Sequence, residues 1–111
     1  MKQAGLEFDE IRIPLYQVDS VSEVRRYSPS GRVPVLLHGE ITVWDSLAIL
    51  DYLMEQFPER PWLPLAAKPR AIARSISAEM HSGFADLRQH MPMNIRAHIP
   101  VSKILPSVQA D

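Results

Sequence analysis

The chain has 111 residues, 46% of them hydrophobic and 23% charged, the composition of an ordinary globular protein of one domain. Twelve basic against thirteen acidic side chains leave a formal charge of −1, which argues against nucleic acid or an anionic membrane as partner, since both demand a basic surface. There is no cysteine, so disulfides, thiolate metal sites and Cys nucleophiles are excluded within these residues.

The opening MKQAGLEFDE has no apolar core behind its Lys and does not read as a signal peptide. No apolar run approaches the ~20 residues of a membrane span. A cytoplasmic protein is expected. Met1–Ala4 followed by Gly5 reads as the last turn of a helix, with Lys2 at its negative end and Gly5 at the left-handed cap. Four residues do not nucleate a helix, so Met1 is expected to start in the middle of an element. Phe8, Ile11, Ile13 and Leu15 alternate with charged residues and predict a strand ending around Pro14. Ser20 with Glu23 has the spacing of a capping box. It predicts a short helix from Val21 to Tyr27, stopped by Ser28–Pro29.

Ser30-Gly31 is a turn, and Pro34-Val35-Leu36-Leu37 and Ile41-Thr42-Val43-Trp44 are β-rich runs joined through His38-Gly39-Glu40. Together they predict a hairpin. Asp45-Ser46 caps a helix running to Phe57, with Leu47, Leu50, Leu53, Met54 and Phe57 as its apolar stripe. Pro58, Pro61 and Pro64 mark a linker that Trp62 and Leu63 pin by packing. Ile72, Ile76, Met80, Phe84, Leu87 and Met91 predict one long helix over Pro69–Met91, and the tail from Pro92 shows no sustained period. The order is an α/β layer followed by the start of an all-helical piece.

Chemistry concentrates at two places. Pro34 stands at a strand start, where a cis Val33–Pro34 bond would turn the Val33 backbone N–H and C=O outward, toward a ligand. Asp45-Ser46 stands at a helix start, where orphan amides and the positive dipole end can hold a carboxylate and Asp45 can meet an ammonium. One small zwitterion with an α-amino-acid end satisfies both. A plain N-cap, worth ~1 kcal/mol, accounts for the same two residues. His38, His81, His90 and His98 lack metal-ligand spacing, so no metal site is expected.

The stretch S-G-R-V-P-V-L-L, a short hairpin and then W-D-S-L-A-I-L-D-Y-L resembles the glutathione-binding half of the cytosolic glutathione S-transferases. The opening K-Q-A-G-L-E-F-D-E-I and the Pro-rich linker leading to P-R-A-I-A-R-S-I-S-A-E-M-H-S-G-F are similar to that family too, so the resemblance covers residues 1–91. It implies a thioredoxin-like fold, here as an incomplete β-α-β-β-α layer over residues 1–64, followed over 65–111 by the first helix of an all-α C-terminal domain. It implies that Pro34 is cis, that the Val33 backbone pairs with the cysteinyl part of glutathione, and that Asp45 and Ser46 hold the γ-glutamyl amino and carboxylate groups. Arg32 is a further carboxylate partner, with a solvated loop Arg as the equal alternative. Ser77, Met80 and His81 would border the electrophile pocket, although an amphipathic helix with Met in its core explains them as well.

The resemblance further implies glutathione as co-substrate, a hydrophobic electrophile, a homodimer and no metal. The family's first strand and the loop bearing its thiolate-activating Tyr, Ser or Cys lie upstream of Met1, so no catalytic residue is assigned here. Most of the family's helical domain would likewise lie beyond this truncated chain. The intact family member conjugates the glutathione thiolate to an electrophile. The alternatives are a non-catalytic glutathione-binding or dimerising module and a degenerate fragment.

Overall fold

In the computed structural model, which describes residues 1–100 and 103–111, the chain divides into two units, Met1–Pro64 and Leu65–Asp111. Among the described residues no helix is long and apolar enough to cross a membrane.

The first unit opens on a single 3₁₀ turn, Lys2–Ala4, closed by Gly5 at φ 65°. The Gly5 amide donates to the Lys2 carbonyl at 3.0 Å and the Leu6 amide to that of Met1 at 3.2 Å, which is how a left-handed cap satisfies the last carbonyls of a helical turn. The strand expected from Phe8 to Pro14 does not form: residues 6–14 run without a ladder, and the sheet of the described residues has two strands, both later in the chain. Alternation aims side chains, but a strand also needs a neighbour to receive its backbone hydrogen bonds. A solvent-exposed contact links this segment to the opening turn, with Lys2 Nζ 3.0 Å from Glu10 Oε2 and 5.8 Å above the centre of the Phe8 ring.

Helix α1 (Ser20–Arg25) begins one residue earlier and ends two residues earlier than its pattern suggests. The capping box is not made. Asp19 is the cap residue and contributes no side-chain bond, while the Ser20 hydroxyl is turned back on the preceding loop, donating to the Pro14 carbonyl at 2.8 Å and accepting from the Gln17 amide at 2.7 Å. Glu23 reaches Arg26 Nη1 with both carboxylate oxygens at 3.2 Å. Ser20 is buried, and a hydroxyl in that position must find hydrogen-bond partners nearby. It finds them in the approach to the helix rather than in its first turn.

The hairpin forms as the sequence predicts. Strands β1 (Val35–His38) and β2 (Ile41–Trp44) pair antiparallel, with Val35 opposite Trp44 and His38 opposite Ile41. Gly39, with φ 60°, takes the first position of the two-residue loop, where a type II′ hairpin requires a left-handed residue. Helix α2 (Ser46–Gln56) packs on both strands. Leu53 is its buried centre, with Leu47, Met54 and Phe57 half-buried around it, whereas Leu50 lies at the rim and is 43% exposed. Trp62 anchors the proline-rich stretch, its Nε1–H donating to the Phe57 carbonyl at 2.8 Å.

The second unit is helical. Helix α3 (Ala67–Ser82) places Pro69 in its first turn, where no intrahelical donor is lost. The single helix expected to reach Met91 breaks at Gly83. There the chain goes extended (φ −97°, ψ −170°), Phe84 takes φ 59°, and a second helix α4 runs over Ala85–His90. A Cβ at Gly83 would stand 2.9 Å from the Glu79 carbonyl oxygen, so this exit needs a residue without a side chain. Helix α5 (Pro106–Ala110) is not legible as a period. It packs on α4, buries Val108, and is followed by Asp111, whose Oδ2 accepts the Leu87 amide at 2.9 Å.

Candidate functional site

The site is built from the open end of the hairpin. The ladder ends at the Val35–Trp44 pair, with Pro34 directly before it at the start of β1 and Asp45 directly after it at the end of β2. Antiparallel pairing makes this local: β1 starts where β2 ends, so the residues entering the first strand and those leaving the second share one end of the sheet. The Val33–Pro34 bond is cis. Arg32, Val33, Pro34, Asp45 and Ser46 are all solvent-exposed.

Asp45 is the N-cap of α2. Its Oδ1 accepts from the Leu47 amide at 2.9 Å and from the Ala48 amide at 3.5 Å, and its carbonyl takes the first intrahelical bond, from Ile49, at 2.9 Å. Two of the first-turn amides are thus occupied by the side chain of the cap itself. The plain cap is real. Asp45 also has φ 77° and ψ 134°. A non-glycine residue held there costs of the order of 1–3 kcal/mol, and such residues gather at functional sites.

On the other side, the segment that delivers Val33 is a turn of hydroxyls. The Ser28 and Ser30 Oγ atoms lie 3.0 Å apart, and the Arg32 amide points at both, 3.3 Å from each. Gly31, at φ 68°, stands between Ser30 and Arg32, and its amide donates to the Ser28 carbonyl at 3.1 Å. From the sequence, Ser28 reads only as the residue before a helix-stopping proline. A serine on either side of Pro29 is the signal that could have revealed this network.

Ser77, Met80 and His81 lie within about one turn of α3, in the second unit. The Ser77 hydroxyl is returned to its own helix, donating to the Ala73 carbonyl at 2.7 Å. Met80 is more than half exposed, and its Sδ lies 3.7 Å from Arg88 Nη2, while Arg88 Nη1 donates to the His81 carbonyl at 3.3 Å. Among the described residues no three His, Asp or Glu side chains gather closely enough to hold a metal ion.

The family described as "Glutathione S-transferase, N-terminal domain" matches residues 1–61. Glutathione S-transferase 1 of Dianthus caryophyllus is 44% identical over 69 residues, covering 61% of this chain and 31% of that protein. Glutathione S-transferase Z2 of Arabidopsis thaliana is 35% identical over 80 residues, 71% of this chain and 36% of that one. A Caenorhabditis elegans protein named "Probable maleylacetoacetate isomerase" is 30% identical over 83 residues, 75% of this chain and 39% of that one. The chain therefore spans about a third of the length of these relatives. No solved structure gives a significant match. The hairpin with its capped helix, on a thioredoxin-like layer that the family's N-terminal domain shares, agrees with the matched residues: the chain belongs to the glutathione S-transferase family.

Proposed function

We propose that residues 1–64 are the glutathione-binding part of a glutathione S-transferase and that residues 65–111 begin its helical domain. The observation that carries this reading is the antiparallel hairpin, which is entered through Val33–Pro34 and left through Asp45–Ser46 at the same end, where Asp45 caps α2 with its carboxylate. In this reading Asp45 accepts from the γ-glutamyl ammonium. Ser46, at the positive end of α2, meets the α-carboxylate. The Val33 backbone pairs with the cysteinyl residue, and Arg32 supports a carboxylate of the tripeptide. These contacts orient glutathione so that its sulfur, once deprotonated, attacks an electrophile.

The whole protein would conjugate that thiolate to a hydrophobic electrophile bordered by Ser77, Met80 and His81. The group that lowers the thiol pKa is assigned to no residue of this chain. A cytoplasmic homodimer is the assembly that accompanies this reading.

The test is calorimetric titration of the 111-residue chain with reduced glutathione. Saturable binding that weakens in Asp45→Asn is expected. Absence of saturable binding to the folded wild-type chain overturns the assignment.

A further inference from the structure

The most buried side chain described in the first unit is polar. Ser28 keeps 1% of its exposure, less than Leu53 at 3% or Val24 at 4%. A hydroxyl is costly to bury unless it is hydrogen-bonded, and this one is employed on the loop after it. Its Oγ stands 3.0 Å from Ser30 Oγ and 3.3 Å from the Arg32 amide. The Ser28 backbone is fixed as well. Its amide donates to the Val24 carbonyl in α1 at 2.9 Å, and its carbonyl accepts the Gly31 amide at 3.1 Å. Val24 is itself part of the buried core. One hydroxyl therefore links a core-anchored helix end to the backbone of Arg32, the residue directly before Val33 and Pro34.

A side chain that merely filled this space would be served as well by alanine, which brings no polar atom to desolvate. The hydroxyl is explained by what it holds. We propose that Ser28 is a positioning residue for glutathione: by gripping the Arg32 amide from inside the core, it sets where the Val33 backbone stands when it meets the ligand. The inference rests on the reading of Val33 given under the proposed function. Ser30, exposed and sharing the same amide at 3.3 Å, is the weaker partner in this grip.

The experiment titrates reduced glutathione into the full chain and into Ser28→Ala, Ser30→Ala and Asp45→Asn. Amide ¹H–¹⁵N spectra and thermal midpoints are recorded for each. Ser28→Ala is expected to move the Arg32 and Val33 amide resonances and to weaken glutathione about three- to tenfold, the worth of one net hydrogen bond. Ser30→Ala should do the same to a smaller degree. A purely structural serine would lower the thermal midpoint and leave affinity where it was. Unchanged affinity in Ser28→Ala, with Asp45→Asn weakened, overturns the positioning role alone. If Ser28→Ala does not fold, Ser30→Ala decides by the same criterion, since it loosens the same amide from the exposed side. Failure of the wild-type chain to bind at all overturns the ligand assignment, and this role with it.

Discussion

Nδ1 of His38 lies 2.7 Å from the phenolic oxygen of Tyr52, and the two rings meet edge to face with centroids 5.9 Å apart. His38 ends β1 and Tyr52 sits in the middle of α2. The pair therefore fastens the loop end of the hairpin to the helix, at the opposite end of the strand from Asp45. Tyr52→Phe removes the hydrogen bond and keeps the ring. Because His38 is exposed and water can replace the hydroxyl, the loss should fall near the low end of a net hydrogen bond, about 0.5 kcal/mol. Chemical denaturation of the variant measures it. Glutathione affinity should not change.

Asp45 has two roles that a pair of substitutions separates. Asn is as good a helix cap as Asp and is enriched at positive φ, so Asp45→Asn should retain the Leu47 contact and the thermal midpoint. It removes the charge that an ammonium needs. A hydrogen bond to a charged group is worth ~1.5–3 kcal/mol, so calorimetry should show glutathione binding weakened by roughly tenfold or more. Asp45→Ala should lose the same binding and in addition ~0.5–2 kcal/mol of stability through the missing cap.

Two glycines should respond to alanine for different reasons. At Gly39 a Cβ meets nothing within 4 Å, but φ is 60°, so Gly39→Ala carries backbone strain only, about 1 kcal/mol. At Gly83 the backbone is extended and unstrained, but a Cβ would press on the Glu79 carbonyl oxygen at 2.9 Å. Gly83→Ala must therefore shift the end of α3. Amide hydrogen exchange should rise at the Gly83 position, whose N–H bonds to that same carbonyl at 2.8 Å. In Gly39→Ala the strand amides should exchange faster without any change of pattern.

The Lys2 ammonium, hydrogen-bonded to Glu10 and attracting it electrostatically, holds the Glu10 carboxyl below its ordinary range. Arg12 adds to this, and partial desolvation opposes it. A depressed folded-state pKa means that the ion pair favours the folded chain above the unfolded glutamate value. That contribution is lost as pH falls through the lower, folded value. The side chains are solvent-exposed, so the effect on global stability is small. A carboxyl-detected NMR titration should place the Glu10 midpoint below the ordinary glutamate value. In about 1 M salt, where screening acts within ~3 Å, the midpoint should move back up. Lys2→Met should move it up as well.

What is legible in the sequence is local. The hairpin is implied by two β-rich runs around Gly39, the α2 cap by Asp45 beside Ser46, and the Gly5 reversal by a glycine after a short helical turn. In each, the residues that make the hydrogen bonds are within a few positions of one another. The Arg32–Pro34 and Asp45–Ser46 segments can be named from their motifs. The Ser28 grip cannot, because a serine before a proline looks the same whether its hydroxyl faces water or the core.

The residue order by itself determined which elements face each other across the hairpin and where α2 begins, since turn chemistry and capping act over a few bonds. Only the tertiary arrangement decided that residues 6–14 carry no ladder, that the long apolar stripe breaks at Gly83, and that a serine is the most buried side chain of the first unit. Each of those depends on a neighbour distant along the chain or on an atom-scale clash, and periodicity contains neither.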